Sequence, residues 1–378
     1  MIVVRERGRA RARSAFLFSC LFLLGVRAAA GQSDSFSEIV ADATAARNVD
    51  DIPRAVELYH QALKINPQWA EGWWLIGSVE YGAGNFGPAI EALTHYLEMS
   101  PNAAPALAMR GLCEFELPDY PKSLGDIQHA LALGAANQSR NEQILRFHES
   151  MLLTRLGRFE DALRSFGFFA KQEPNPELLL ALGLAGLRAP LLPKEVKAEQ
   201  REVFTAAGQA AFDYMKGDKD TARSDFQQLF ARTPAVPNAH YLYGFLLYSS
   251  EPEEAMVEFK HEIEVDPKNA AADVMLAWIP LLRNDGQEAL PYAQKAVAVD
   301  ASLPSAQLVL GRALTETGNA KEAVTHLEKT ALVQPDNLEV HLALAKAYSK
   351  LGSKEDARRE RLLCLEMTRN EAAASTHP

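Results

Sequence analysis

Cysteine is scarce in this chain, with three in 378 residues. That is too few for a disulfide-dense scaffold or a Cys-rich zinc module. Positive charge is also in deficit, since 39 Lys and Arg face 49 Asp and Glu for a net charge of −10. A general nucleic-acid binder is excluded on that balance. Aromatic residues make up only 8%. There is no Walker glycine loop, no Cys-x-x-Cys and no Gly-x-Ser-x-Gly, so the common phosphate, redox and hydrolase signatures are missing. What is present is a 48% apolar, 23% charged chain, enough to build a core and unlike a disordered or collagen-like sequence. Length alone suggests two or three domains.

The first thirty residues have a different character from the rest. Arg5, Arg7, Arg9, Arg11 and Arg13 precede "AFLFSCLFLLGV", an uncharged stretch from Ala15 to Val26, which is followed by Arg27 and Ala28-Ala29-Ala30. A basic segment, an apolar run and an Ala-x-Ala site form a secretory signal, with cleavage expected after Ala30. The run is shorter than the roughly 20 residues that span a bilayer. An uncleaved anchor, an Arg-rich transit peptide and lipidation at Cys20 are the alternatives. Export to the periplasm or out of the cell is therefore expected, without stable membrane insertion after cleavage. Residues 1–30 hold six Arg and one Glu, so the remainder carries 33 basic and 48 acidic side chains, a net charge of −15. Cys113 and Cys364, far apart in the chain, are expected to be buried small hydrophobes.

A period of 34 residues runs through the chain beyond that segment. Pro67 and Pro101 keep it, as do Pro267, Ala301 and Pro335; so do Ala55 and Ala89, and Ala255, Ala289, Ala323 and Ala357. Each period splits at a polar or glycine turn such as "YGAGNF", "MKGDKD" or "TETGNA". Between turns, apolar residues recur every three or four positions, the helical spacing. The unit is a pair of antiparallel helices, A and B. A lone hairpin cannot bury both its apolar faces, so stacking must build the core.

This pattern resembles the tetratricopeptide repeat. Numbered from 1, that family's unit prefers large apolar residues at 4 and 7, a small one at 8 and a bulky one at 11. Helix B has Ala at 20, a large residue at 24, Ala at 27 and Pro at 32. The unit from Ala70 supplies Trp73, Ile76, Gly77, Ala89, Leu93, Tyr96 and Pro101, with its tyrosine one place late at Tyr81. The unit from Pro304 supplies Leu310, Gly311, Leu314, Ala323, Leu327 and Pro335. Nine units start near Phe36, Ala70, Ala104, Gln143, Val203, Val236, Ala270, Pro304 and Leu338. The resemblance implies an all-α fold, a right-handed α-α superhelix, in which position 8 faces position 20 while 24 and 27 pack on the next unit.

One segment breaks the period. "NPELLLALGLAGLR" reads as a helix A with Gly183 at position 8, but "APLLPKEV" follows in place of a helix B, its two prolines interrupting any helix. A long helix is then expected from about Lys194 to Met215. The resulting layout is an N-terminal array over 36–176, a junction over 177–202, a C-terminal array over 203–370 and a disordered tail over 371–378. A rigid kink, a mobile hinge and a binding loop are the readings open for the junction.

Enzyme chemistry finds little support. "HESML" at His148 and "HEIEV" at His261 begin like a zinc-protease helix but lack the second His four residues on. His60, His129, His261 and His326 lie on B helices among charged neighbours and are expected to face solvent. Asn137-Gln138-Ser139 is a glycosylation sequon. No catalytic residue, metal or cofactor is expected. The resemblance instead implies a groove lined by helix A at positions 2, 5, 9, 12 and 13. That mapping yields Trp74, Tyr81, Phe115 and Phe147 in the first array. In the second it yields Tyr214, then Tyr241, Phe245 and Tyr248 (with helix A shifted by one), and Trp278. Half of these aromatics are expected to fill gaps between helices. Arg312 and Lys346 occupy position 9 of the last two units, but position 5 is Leu308 and Leu342, and the first unit has Val40 and Thr44 at 5 and 9. The Lys/Asn clamp by which some such repeats hold a C-terminal carboxylate is therefore not met, although these two cations could still attract an acidic segment. A scaffold for a protein or peptide partner is the expected function. A structural subunit of an envelope or secretion assembly is the alternative, and an enzyme with an unrecognised site a remoter one.

Overall fold

The computed structural model describes residues 32–134 and 139–376. The signal-like segment and its cleavage site lie outside them, as do Asn137 and Gln138 of the sequon. The described residues form nineteen α-helices, two short 3-10 turns and no strand. None of these helices is long and apolar enough to cross a membrane.

The chain divides into two compact units, with the boundary between Ser165 and Phe166. The first holds four hairpins: α1 (Gln32–Asn48) with α2 (Ile52–Ile65), α3 (Ala70–Ala83) with α4 (Phe86–Met99), α5 (Ala104–Glu116) with α6 (Tyr120–Ala132), and α7 (Ser139–Arg155) with α8 (Phe159–Phe166). The second opens on a single helix, α9 (Pro176–Gly186), followed by five hairpins. These are α10 (Ala198–Lys216) with α11 (Lys219–Arg232), α12 (Ala239–Leu247) with α13 (Pro252–Val265) and α14 (Ala270–Leu282) with α15 (Gly286–Val299). The last two are α16 (Pro304–Glu316) with α17 (Ala320–Val333) and α18 (Leu338–Leu351) with α19 (Lys354–Thr376). The half-unit and proline segment belong with the C-terminal unit. Pro193–Glu195 form a 3-10 turn and α10 starts only at Ala198, because Val196 and Lys197 are extended, at ψ of 125° and 147°. At the other end, α19 runs past residue 371 to Thr376, into the segment expected to be a tail.

Turn chemistry explains where helices stop. Gly217 and Gly352 close α10 and α18 at φ of 96° and 86°, a left-handed conformation that only glycine adopts without strain. Asp218, Asn269, Asp285 and Asn337 then accept backbone N–H bonds in the first turn of the next helix, satisfying donors that have no intrahelical partner. In "RNDGQE" the left-handed residue is Asn284, at φ 58°. Gly286 there serves packing, since a methyl on it would strike Glu316 and Ala313 of α16.

The small residue at position 8 packs as the 34-residue register requires, with one refinement. A methyl on Gly111 would meet Ile127 at 2.9 Å and the Ser123 carbonyl at 3.2 Å; one on Gly311 would meet Leu327 and, at 3.2 Å, the Ala323 carbonyl. Position 8 thus seats the large residue at 24 of its own hairpin as well as the backbone at 20. Ala323 is fully buried. Replacing it with Trp is expected to destabilise the C-terminal unit by at least about 1–3 kcal/mol through overpacking. Thermal melting checks this, and an unchanged midpoint would place the hairpin contact elsewhere.

Cys113 and Cys364 are both free and buried. Burial, reinforced by the neighbouring Glu114 charge, pushes the Cys113 thiol up to about 12, so it stays protonated and unreactive.

Candidate peptide-binding site

The mapped aromatics of the N-terminal unit separate into two kinds. Trp74 on α3 is half-buried with its ring 5.7 Å from Tyr96, and Tyr81 lies beside Phe86 at 6.3 Å. Burial pushes the Tyr81 phenol up to about 12. Phe115 and Phe147 are buried. Phe115 sits edge-on to Tyr120 at 6.0 Å and to His148 at 4.9 Å. Phe115 thus fills the space between α5, α6 and α7, and both rings, being buried, support the face rather than form it.

A buried carboxylate lies next to them. Glu114 on α5 is 5% exposed, with one oxygen lacking a hydrogen-bond partner among the described residues. Burial first, then the Asp126 charge, pushes its carboxyl up to about 7, against a smaller opposing pull from Arg110. The Arg110 guanidinium is engaged with Asp126 through bonds of 2.5 and 2.9 Å. The folded state therefore holds the Glu114 proton more tightly than the unfolded chain does. Stability from this group is fully present below about pH 4.5 and is lost as pH rises through about 7. Glu114→Gln is expected to raise stability at pH 8 by about 1–2 kcal/mol and to flatten the decline between those values. Chemical denaturation across that range measures it.

In the C-terminal unit, Tyr214 at the end of α10 reaches Ser250 beyond α12, with 2.9 Å between hydroxyls, and Lys219 lies over its ring at 5.4 Å. On α12, Tyr241 is 3% exposed, packed 5.4 Å from Phe259 with Arg188 over its ring. It is therefore a core residue in place of the expected groove residue. Phe245 and Tyr248 are half-buried, with ring centres 5.4 Å apart. Trp278 on α14 is half-buried under the Arg312 guanidinium, 4.5 Å from its ring.

Arg312 and Lys346 frame a recess of about 220 Å³ between α16 and α18, lined also by Thr315, Glu316, Glu339, Leu342 and Ala343. Six of these seven fall on groove positions: Arg312, Thr315 and Glu316 at 9, 12 and 13 of one unit, and Glu339, Leu342 and Lys346 at 2, 5 and 9 of the next. Its charges are matched internally. Arg312 lies 3.4 Å from Glu339, while Glu316 takes Lys346 and, at 3.4 Å, Lys350. Lys346 also donates to Asn284 at 3.0 Å. Partial burial pushes the Glu316 carboxyl up, but bonds from both lysines outweigh it and hold it below the usual range. Leu342, 46% exposed, supplies an apolar wall. A search for aromatics and cations misses Glu316, Glu339 and Leu342, although the position rule reaches all three.

The tetratricopeptide repeat model matches residues 40–104, 75–139, 149–211 and 308–362, together more than half of the chain. The chain belongs to the tetratricopeptide repeat family. No curated protein sequence matches it. Among solved structures it is similar to MamA, at 21% identity over 43% of this chain and 96% of that one, with a TM-score of 0.38. It is similar to yeast Tom70 at 14% identity over 90% of this chain and 77% of that one, with a TM-score of 0.36. A tetratricopeptide repeat protein from Parabacteroides merdae shares 16% identity over 74% of this chain and 99% of its own, with a TM-score of 0.33. Likeness of that order says nothing about partners.

Of the four B-helix histidines expected to face solvent, His60, His129 and His261 are exposed. His326 departs from that expectation: it is half-buried with its Nδ1 2.6 Å from the Gln307 side-chain oxygen. Among the described residues no group of three or more His, Cys, Asp or Glu is placed to hold a metal.

Proposed function

We propose that this chain is an exported, non-catalytic scaffold that holds a peptide or protein segment against the A-helix face of its C-terminal unit. The supporting observation is the register of the recess, six of whose seven lining residues occupy the family's groove positions. Trp278 lies beside it under Arg312, and Phe245 and Tyr248, at the end of the earlier helix α12, also present partly open rings; such aromatics supply large contact area at little entropic cost. Because the recess cations already face Glu316 and Glu339, the fitting segment has low net charge and an apolar anchor for Leu342. An acidic tail would have to displace these pairs. Export rests on the basic start, apolar run and Ala-x-Ala site of residues 1–30.

Crosslinking in the native host, followed by affinity capture and mass spectrometry, tests both parts. The expected result is a small set of partners crosslinked to α14, α16 and α18 in a protein whose N-terminus is Gly31. Crosslinks confined to other faces would remove the groove reading. An intact Met1 in the recovered protein would remove cleavage after Ala30.

A further inference from the structure

At four joints between successive hairpins, position 28 of helix B (Leu63, Leu97, Val297 and Ala331) shares a core with residues at positions 3, 6 or 10 of the next helix A. Leu97 at position 28 shares a core with Ala106 and Met109 at positions 3 and 6 of the following hairpin. At the last joint Val340, Ala343 and Ala347 hold positions 3, 6 and 10, all buried with Ala331 against them. The first and last helices expose the same positions among the described residues. On α19, position 28 is Leu365, 67% exposed, and Leu362 beside it is 53% exposed. On α1, positions 3, 6 and 10 are Glu38, Ala41 and Ala45, all exposed.

We propose that copies of this chain join end to end, the outer face of α19 on one copy stacking on the outer face of α1 on the next, as one more joint of the internal kind. The two faces match in shape, because Ala41 and Ala45 keep the small apolar character of buried joint positions and leave room for two leucines. They also match in charge. Arg358, Leu362, Leu365 and Arg369 form one exposed stripe at helical spacing on α19, while Glu38 and Asp42 flank the alanines on α1. An antiparallel joint sets Arg369 level with Glu38. Two leucine faces meeting each other would instead oppose arginine to arginine. The contact is heterologous, using a different patch on each copy, so it propagates into a ring or a filament.

Sedimentation of the protein as its host produces it, over rising concentration, is the test. Two variants block one end each: Ala41→Arg with Ala45→Arg, and Leu362→Glu with Leu365→Glu. All four positions are exposed, and circular dichroism confirms that the variants stay folded. The wild type is expected to associate, more weakly as salt rises. Each variant alone is expected to associate at least tenfold more weakly. An equimolar mixture of the two should form a complex of two copies and stop, since each such pair has one intact joint. A wild type that stays monomeric at all concentrations overturns the proposal. So does an α1 variant that associates like the wild type, which would mean that α19 pairs with itself.

Discussion

Gly183→Val is expected to destabilise the C-terminal unit by upwards of about 3 kcal/mol, lowering its melting point by roughly 8 °C or more. A side chain at Gly183 would fall on the backbone carbonyl of Phe204 in α10, and one at Gly208 would fall on the carbonyl of Leu179 in α9. The two contacts are reciprocal, each glycine opposite the residue four places before the other. The helix axes must therefore lie closer than any Cβ permits, and a carbonyl in a helix cannot rotate aside as a side chain does. Separating α9 from α10 would also disturb α11, which packs on α10 as its own helix B. Gly125→Ala is the contrast. That glycine lies inside α6 with nothing within 4 Å of an added methyl, so the change should stabilise by about 0.5–1 kcal/mol through lost unfolded-state entropy and better helix propensity. Melting of both variants separates close approach from a general intolerance of substitution.

The same junction shows how far the sequence could be read. Nine hairpins, their turns and the odd half-unit were legible because they depend on local signals: period, proline, polar turns and small residues at fixed spacing. The partner of α9 was not legible, because α10 serves two neighbours and no local pattern announces that. Gly183 was visible at position 8, yet its contact lies on the helix that opens the next unit. A second feature was hidden for a similar reason. Glu262, fully buried on α13, accepts from the backbone N–H of Asn238 and Tyr241 at 2.7 and 3.1 Å and from Asn269 at 3.0 Å. Asn238 in turn donates to the Leu187 carbonyl at the end of α9. Burial pushes the Glu262 carboxyl up despite those bonds. In "HEIEV" the zinc-protease-like His261 is exposed, while its neighbour Glu262 ties α12, α13 and α14 to the junction. A carboxylate reaching across to a helix start leaves no mark in spacing. For the site, helical position predicted which residues share a face, but not which rings sink. Phe115, Phe147 and Tyr241 are buried because the helices behind them are close enough to enclose a ring, and that distance is a tertiary property.

Replacing Phe245, Tyr248 and Trp278 together with Ala is expected to weaken the captured segment about a hundredfold or more, since losses of about 1–2 kcal/mol at each of three anchors, less their overlap, give roughly 3 kcal/mol. Tyr241 is left intact because its removal would empty a buried site against Phe259 and confuse folding with binding. Trp278→Ala has a second consequence, since Arg312 loses the ring beneath it and is held by Glu339 and the Leu281 carbonyl alone. Trp278→Phe therefore belongs beside it, retaining a ring for the guanidinium while reducing contact area. Titration of the crosslinked segment against each folded variant gives the affinities. Unchanged affinity in the triple variant would remove the aromatic face from the site. Leu342→Glu then isolates the recess: its wall is lost while the rings remain, and a third carboxylate joins Glu316 and Glu339. A segment bound through both features should lose affinity in either variant, and one seated only between α16 and α18 should respond to Leu342→Glu alone.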